Sequence, residues 1–145
     1  MAKLPWKPWH EVVALREDLK KGELALQQFA ADLYAVMMQS GTLPMYEDPY
    51  SFFSLTYPTH NLRKLVRDVA LRLAGKNDKA VRQLELTYGG GKTHMLIALR
   101  HLVHDPDHLP DLPAVGEFTQ AIGQKPPKSV VAALCFDKLD GRPSD

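Results

Sequence analysis

Between Glu23 and Gln39, apolar residues recur at steps of three and four: Leu26, Phe29, Ala30, Leu33, Val36 and Met37. That period predicts a helix with one apolar stripe. Ser40-Gly41 supplies a stop signal and Pro44 lies beyond it. Upstream, residues 1–10 read as an irregular arm carrying Trp6 and Trp9, and Glu11 to Lys21 as a short, charged helical stretch. Downstream, Tyr46 to Thr59 is dense in aromatics, and Pro49 and Pro58 break any continuous helix, so it reads as a loop. Thr59 is a suitable N-cap for a helix whose apolar face is Leu62, Leu65, Val66, Val69, Ala70 and Leu73, ending at Gly75.

The pattern then changes. Asn77-Asp78 reads as a turn, and Ala80 to Thr87 as a strand with Val81, Leu84 and Leu86 as its apolar content. Gly89-Gly90-Gly91 interrupts the chain, and Lys92 to His104 resumes as a helix that is apolar nearly all round. Asp105 to Lys128 is rich in proline and polar residues, with a short helix expected from Ala114 to Ile122. Ser129 to Phe136 reads as a buried strand. Strand, glycine loop, helix, connection and strand make a βαβ unit with a right-handed crossover. The expected fold class is therefore α/β: an N-terminal helical region over residues 1–76, then the first βαβ unit of a P-loop NTPase parallel sheet over residues 77–145. Two strands do not make a stable parallel sheet, so the chain reads as the N-terminal piece of a longer protein.

Composition adds little and excludes some classes. A formal net charge of +1 gives no global field toward nucleic acid or an anionic membrane. The single cysteine, Cys135, forms no internal disulfide and fits a reducing compartment. The N-terminus lacks an apolar signal-peptide core, and the sequence has no run long enough to span a membrane. A cytoplasmic protein is expected.

The chemistry concentrates in Tyr88-Gly89-Gly90-Gly91-Lys92-Thr93-His94. A triphosphate site needs backbone N–H groups that converge on phosphate oxygens, and glycines let the backbone approach closely. A helix must start there, since its N-terminal N–H groups and dipole favour an anion. A lysine must reach the β- and γ-phosphates and a hydroxyl must ligate Mg²⁺. Gly89, Gly90 and Gly91, the helix start, Lys92 and Thr93 provide these in order, which predicts ATP and Mg²⁺ as ligands. Three glycines, a lysine and then Ser or Thr should occur by chance in roughly one in 3,000 chains of this length. One departure from the Walker A pattern is Leu86, where its first glycine would stand; another is the bulk of Tyr88.

This loop resembles the nucleotide loop of the domain-of-unknown-function 499 family, large ATPases related to AAA+ proteins. Pro8-Trp9-His10-Glu11-Val12-Val13, Phe29-Ala30-Ala31-Asp32-Leu33, the stretch Tyr46 to Thr59, and Ala98-Leu99-Arg100-His101-Leu102 are similar to it too. The resemblance runs from about Trp9 to Val103. It implies an AAA+-like ATPase domain in a longer chain, hydrolysing nucleotide only in its full-length form. It also implies genes beside DNA methyltransferases and helicases in phage-defence or restriction-type clusters, with DNA and those proteins as partners and a possible oligomer. The family's loop often lacks the first Walker glycine.

Weaker signals keep two readings each. Asp137 is a candidate Mg²⁺-side acid or an ordinary strand-end acid, with the acid that completes the site further on. His94 touches a phosphate or a neighbouring subunit, or is a polar residue on the first helical turn. The aromatics of 46–57 stack on a base or pack the helices. His101, His104, Asp105 and His108 gather donors, but Pro106 breaks the helix and no further ligand completes a metal site. Arg63, Lys64 and Arg67 meet DNA phosphates or form a solvated face.

Overall fold

The computed structural model describes residues 6–15, 17–22, 30–85 and 89–135. The chain divides into two compact units, Met1–Ala30 and Ala31–Asp145. In the first, two short helices form, α1 (Trp9–Val12) and α2 (Glu17–Lys21). Trp6, Trp9, Val12 and Val13 are all exposed within it.

The second unit holds six helices among the described residues: α3 (Leu33–Met38), α4 (Pro44–Glu47), α5 (Pro49–Ser54), α6 (His60–Leu73), α7 (Lys92–His104) and α8 (Pro113–Ile122). Helix α6 begins where Thr59 Oγ1 accepts the Leu62 N–H. It ends in a Schellman turn, with Lys76 N donating to Leu71 O, Gly75 N donating to Arg72 O, and Gly75 at φ +72°. Apolar spacing and both end signals thus agree with what formed. Helix α7 starts and stops where the glycines and Asp105-Pro106 predict, and α8 gains one residue at its start because Pro113 occupies the first helical position.

Three helix expectations change. The helical stretch expected from Glu11 to Lys21 is divided: α1 begins at Trp9 and ends at Val12, residues 13–15 are not helical, and α2 starts at Glu17. The periodicity from Glu23 predicted a helix continuous to Gln39; residues 23–29 lie outside the described residues, and Ala30 to Asp32 are not helical. The Asp32 carboxylate instead accepts the N–H groups of Tyr34 (2.9 Å) and Ala35 (3.2 Å), so α3 starts afresh at Leu33. The aromatic stretch is a loop only at Asp48 and from Leu55 to Thr59; the rest is helical. Pro44 and Pro49 each open a short helix at the position where a missing N–H costs nothing, and Asp48 caps α5 through Ser51 N at 2.7 Å.

The larger correction concerns fold class. The described residues contain no β-strand, so the parallel sheet expected of a P-loop NTPase is not formed among them. Residues 81–85 and 129–135 alternate between exposed and partly covered positions, as an extended chain does, but carry no ladder. Val81, Val130 and Leu134 stand 83%, 102% and 75% exposed. An apolar run with alternating sides specifies an extended backbone; a strand also needs a neighbour to bond with, and a parallel sheet needs cover on both faces. Residues 86, 87 and 136, the remainder of the two expected strands, lie outside the described residues.

The core is helical. Phe52, Phe53, Val66, Ile97, Leu102 and Phe118 are fully buried, with Val36 of α3 joining them. Helix α6 packs most extensively on α8, α3 and α6 contact α7, and α5 contacts α8. Full burial of one such side chain contributes roughly 1.5–3 kcal/mol. Among the described residues, no helix is long and apolar enough to cross a membrane.

Candidate functional site at the start of helix α7

Gly89 and Gly91 adopt left-handed φ of +78° and +80°. Left-handed backbone costs roughly 1–2 kcal/mol per non-glycine residue, which explains glycine at both positions. A methyl group built on either would meet no atom within 4 Å, so crowding is not the cause and the space above the turn is open. Gly91 is the N-cap of α7 and provides no side-chain cap; its carbonyl accepts Met95 N at 3.0 Å. The first turn of this 13-residue helix carries no acidic residue. Its leading N–H groups form the positive end of the helix dipole, and the glycine at the N-cap has no side chain to place there. Gly89, Gly90, Gly91, Lys92 and Thr93 are contiguous there, with Lys92 and Thr93 partly covered. Tyr88, Leu86 and Asp137 lie outside the described residues.

His94 is turned into the fold. Its Nε2 lies 3.1 Å from Thr56 Oγ1, while Thr56 Oγ1 donates to Phe52 O at 2.7 Å. The hydroxyl proton is thus committed to Phe52, so the imidazole Nε2–H must be the donor to Thr56. The ring also lies against Phe52, centroids 4.5 Å apart. Burial holds the His94 pKa below 6.5, and the neutral ring fits this arrangement.

The aromatic stretch separates by side chain. Phe52 and Phe53 are core residues, contacting His101 at 5.2 and 6.0 Å, and Phe53 meets Phe118 at 6.0 Å. Tyr50 and Tyr57 are exposed. His101 Nε2 donates to Tyr46 O at 2.8 Å, and burial, the main influence, lowers its pKa too. His101 is 3% exposed, while His104 stands in solvent and His108 pairs with Asp105 at 2.8 Å. Among the described residues, no group of three or more His, Cys, Asp or Glu side chains gathers to hold a metal ion.

On the basic face of α6, Arg63 is paired with Glu117 of α8. Asp68 approaches Arg82 at 3.5 Å, an ion pair longer than a hydrogen bond. Lys64 and Arg67 remain exposed. Part of that face therefore ties helices together, leaving two cations for solvent.

Sequence reasoning singled out the glycine turn but not Thr56 or Phe52 as partners of His94, since 38 residues separate Thr56 from it. Nor did it flag Arg100, which is 7% exposed on α7. An arginine inside an apolar run reads as a surface residue until its neighbours are known.

No match was found among curated proteins or among solved structures. The family model described as the DUF499 N-terminal domain matches residues 8–130, taking in every helix and the whole glycine turn. The chain belongs to the DUF499 family, as a bearer of its N-terminal domain.

Proposed function

We propose that the glycine-led start of α7 binds the phosphates of ATP with Mg²⁺, as the nucleotide site of an ATPase. The observation that supports it most is the N-terminus of a 13-residue helix whose N-cap is a glycine, entered through two left-handed glycines and followed at once by Lys92 and Thr93. Glycines at 89 and 91 leave open space where a phosphate can approach the backbone. In this reading Gly89, Gly90 and Gly91 cradle phosphate oxygens, with Tyr88 and His94 flanking them. Lys92 neutralises charge between the β- and γ-phosphates, and Thr93 supplies a hydroxyl to Mg²⁺. Bound Mg²⁺ would neutralise phosphate charge. The family resemblance extends the proposal to an AAA+-like ATPase acting in a DNA-directed defence or modification complex, in the cytoplasm.

Calorimetric titration of Mg-ATP tests the binding step. Saturable binding that Lys92→Ala abolishes, with helicity unchanged by circular dichroism, is the expected result. Equal affinity in the variant overturns the assignment. Leu86, in place of the first Walker glycine, favours a second reading, a nucleotide switch that binds without turnover. Tight binding with no phosphate release selects the switch; release of phosphate selects the ATPase.

A further inference from the structure

A cleft of about 340 Å³ opens in the second unit. Its walls come from α3 (Leu33, Met37), α6 (Val69, Leu73) and α7 (Leu99, Arg100), and its rim is residues 131–134. The walls are apolar apart from Arg100. As a residue Arg100 is 7% exposed, and its Nε is enclosed with no hydrogen-bond partner. An arginine keeps its charge, so an enclosed guanidinium Nε–H without an acceptor is a donor that an anion placed in the cleft would satisfy.

The rim adds an independent observation. Ser129 N donates to Val103 O at 2.8 Å, which pins the segment to the end of α7. Beyond that point, among the described residues, residues 130–135 make no backbone hydrogen bond. Their side chains alternate, Val131 and Ala133 partly covered, Val130 and Leu134 exposed. An extended segment with unbonded N–H and C=O groups is a template for a further extended chain.

We propose that this cleft receives an extended segment of another polypeptide, which hydrogen-bonds along residues 130–135, places apolar side chains against α3, α6 and α7, and presents an Asp or Glu to Arg100. Each part of the occupant answers one part of the site. The apolar walls call for apolar side chains, and the unbonded rim calls for an extended backbone. The unpartnered Nε–H of a charged side chain calls for a carboxylate at the inward-facing register, two residues from each apolar anchor.

The test titrates the ¹⁵N-labelled protein with a capped nine-residue peptide, Lys-Thr-Val-Thr-Glu-Thr-Val-Thr-Lys, in which Val, Glu and Val share one side. A panel replaces its valines by Ile, Leu or Phe. The expected result is saturable binding that shifts the amides of residues 130–135 and the Arg100 Nε–H resonance and slows exchange of those amides. Replacing the peptide's Glu by Gln weakens binding at least tenfold, a comparison that leaves the protein untouched. Arg100→Met removes the preference for Glu over Gln. Equal binding of the Glu and Gln peptides, shifts confined to other surfaces, or no binding across the panel overturns the proposal. Sodium decanoate saturating the cleft while no peptide does would also overturn it, in favour of a small-molecule site.

Discussion

His94 Nε2 and Thr56 Oγ1, 3.1 Å apart, join the first turn of α7 to the chain that follows α5. Thr56 is 6% exposed and donates its own O–H to Phe52 O, so one hydroxyl serves both elements. Because His94 stands next to Thr93, this bond fixes how the glycine turn sits on the core. Thr56→Val keeps the shape and removes the hydroxyl. It should cost about 1–3 kcal/mol in urea denaturation, since it leaves a buried imidazole N–H without an acceptor. In nitrogen NMR, the variant should lose the fixed Nε2–H tautomer of His94. A variant with unchanged stability and unchanged tautomer would show that the bond is incidental.

His94 and His101 set the pH response. Burial lowers both pKa values, so each binds a proton less readily folded than unfolded. The unfolded chain therefore takes up protons first as pH falls, and stability follows it down. Their contribution is complete above about pH 6.5, the ordinary histidine value, and is lost progressively as pH falls from there through the lowered folded values. Thermal midpoints measured from pH 8 to 5 should decline below about 6.5, before the carboxylates titrate. His101→Phe should flatten part of that decline; a curve of unchanged steepness would assign it to other groups.

Phe118 on α8 is wholly buried and meets Phe53 of α5. Phe118→Ala should cost about 3–5 kcal/mol, the range for truncating a buried aromatic. In a domain of ordinary marginal stability that is a large share of the total. Loss of the cooperative urea transition, or a midpoint shift of that size, is the expected measurement.

Gly91→Ala forces a side chain into the left-handed region at φ +80° without creating a clash. The cost should be the backbone term alone, about 1–2 kcal/mol. Under the proposed function, Mg-ATP affinity should fall as well, because the turn that presents the N–H groups relaxes. Gly123→Ala at the end of α8, also left-handed at φ +77°, is the matched control: a similar cost in stability with nucleotide affinity unchanged.

Arg100→Met exchanges a buried arginine, its Nε enclosed without a partner, for an apolar side chain of similar length. With no partner lost, the isolated protein should gain about 1–2 kcal/mol. A loss of stability on denaturant unfolding would mean that the guanidinium is already satisfied.

What could be read in advance follows from range. Helices α6 and α7 were legible because their signals are local: three- and four-residue spacing, Thr59, Gly75, and the glycines before Lys92. The start of α3 was misjudged although its cause is local too. Asp32 is a strong N-cap, and the apolar period running through it drew attention away. Pro44 marks the far side of a helix end and Pro49 a break when read from the sequence alone, yet each opens a helix. The sheet was over-read: alternation at 81–85 and 129–135 describes a backbone shape, while pairing depends on a neighbour that no single segment encodes. In the site, the order glycine, lysine, threonine is contiguous and visible. The Thr56–His94 bond and the enclosure of Arg100 depend on packing across distant parts of the chain, and nothing in the sequence marks them.

Helix α6 lies on α8, although residues 74–112 separate them in the chain, and Asp78, Lys79 and Ala80 are exposed on the way between. The contacts of α6 with α7 and α8, of α3 with α7 and of α5 with α8 all join a partner before Lys79 to one after it. Cutting the peptide bond after Lys79 severs none of them. Brief trypsin treatment at that bond should therefore give two bands on a denaturing gel and a single particle by gel filtration: a nicked protein held together by the faces of its own helices, with the glycine turn carried wholly on the C-terminal fragment.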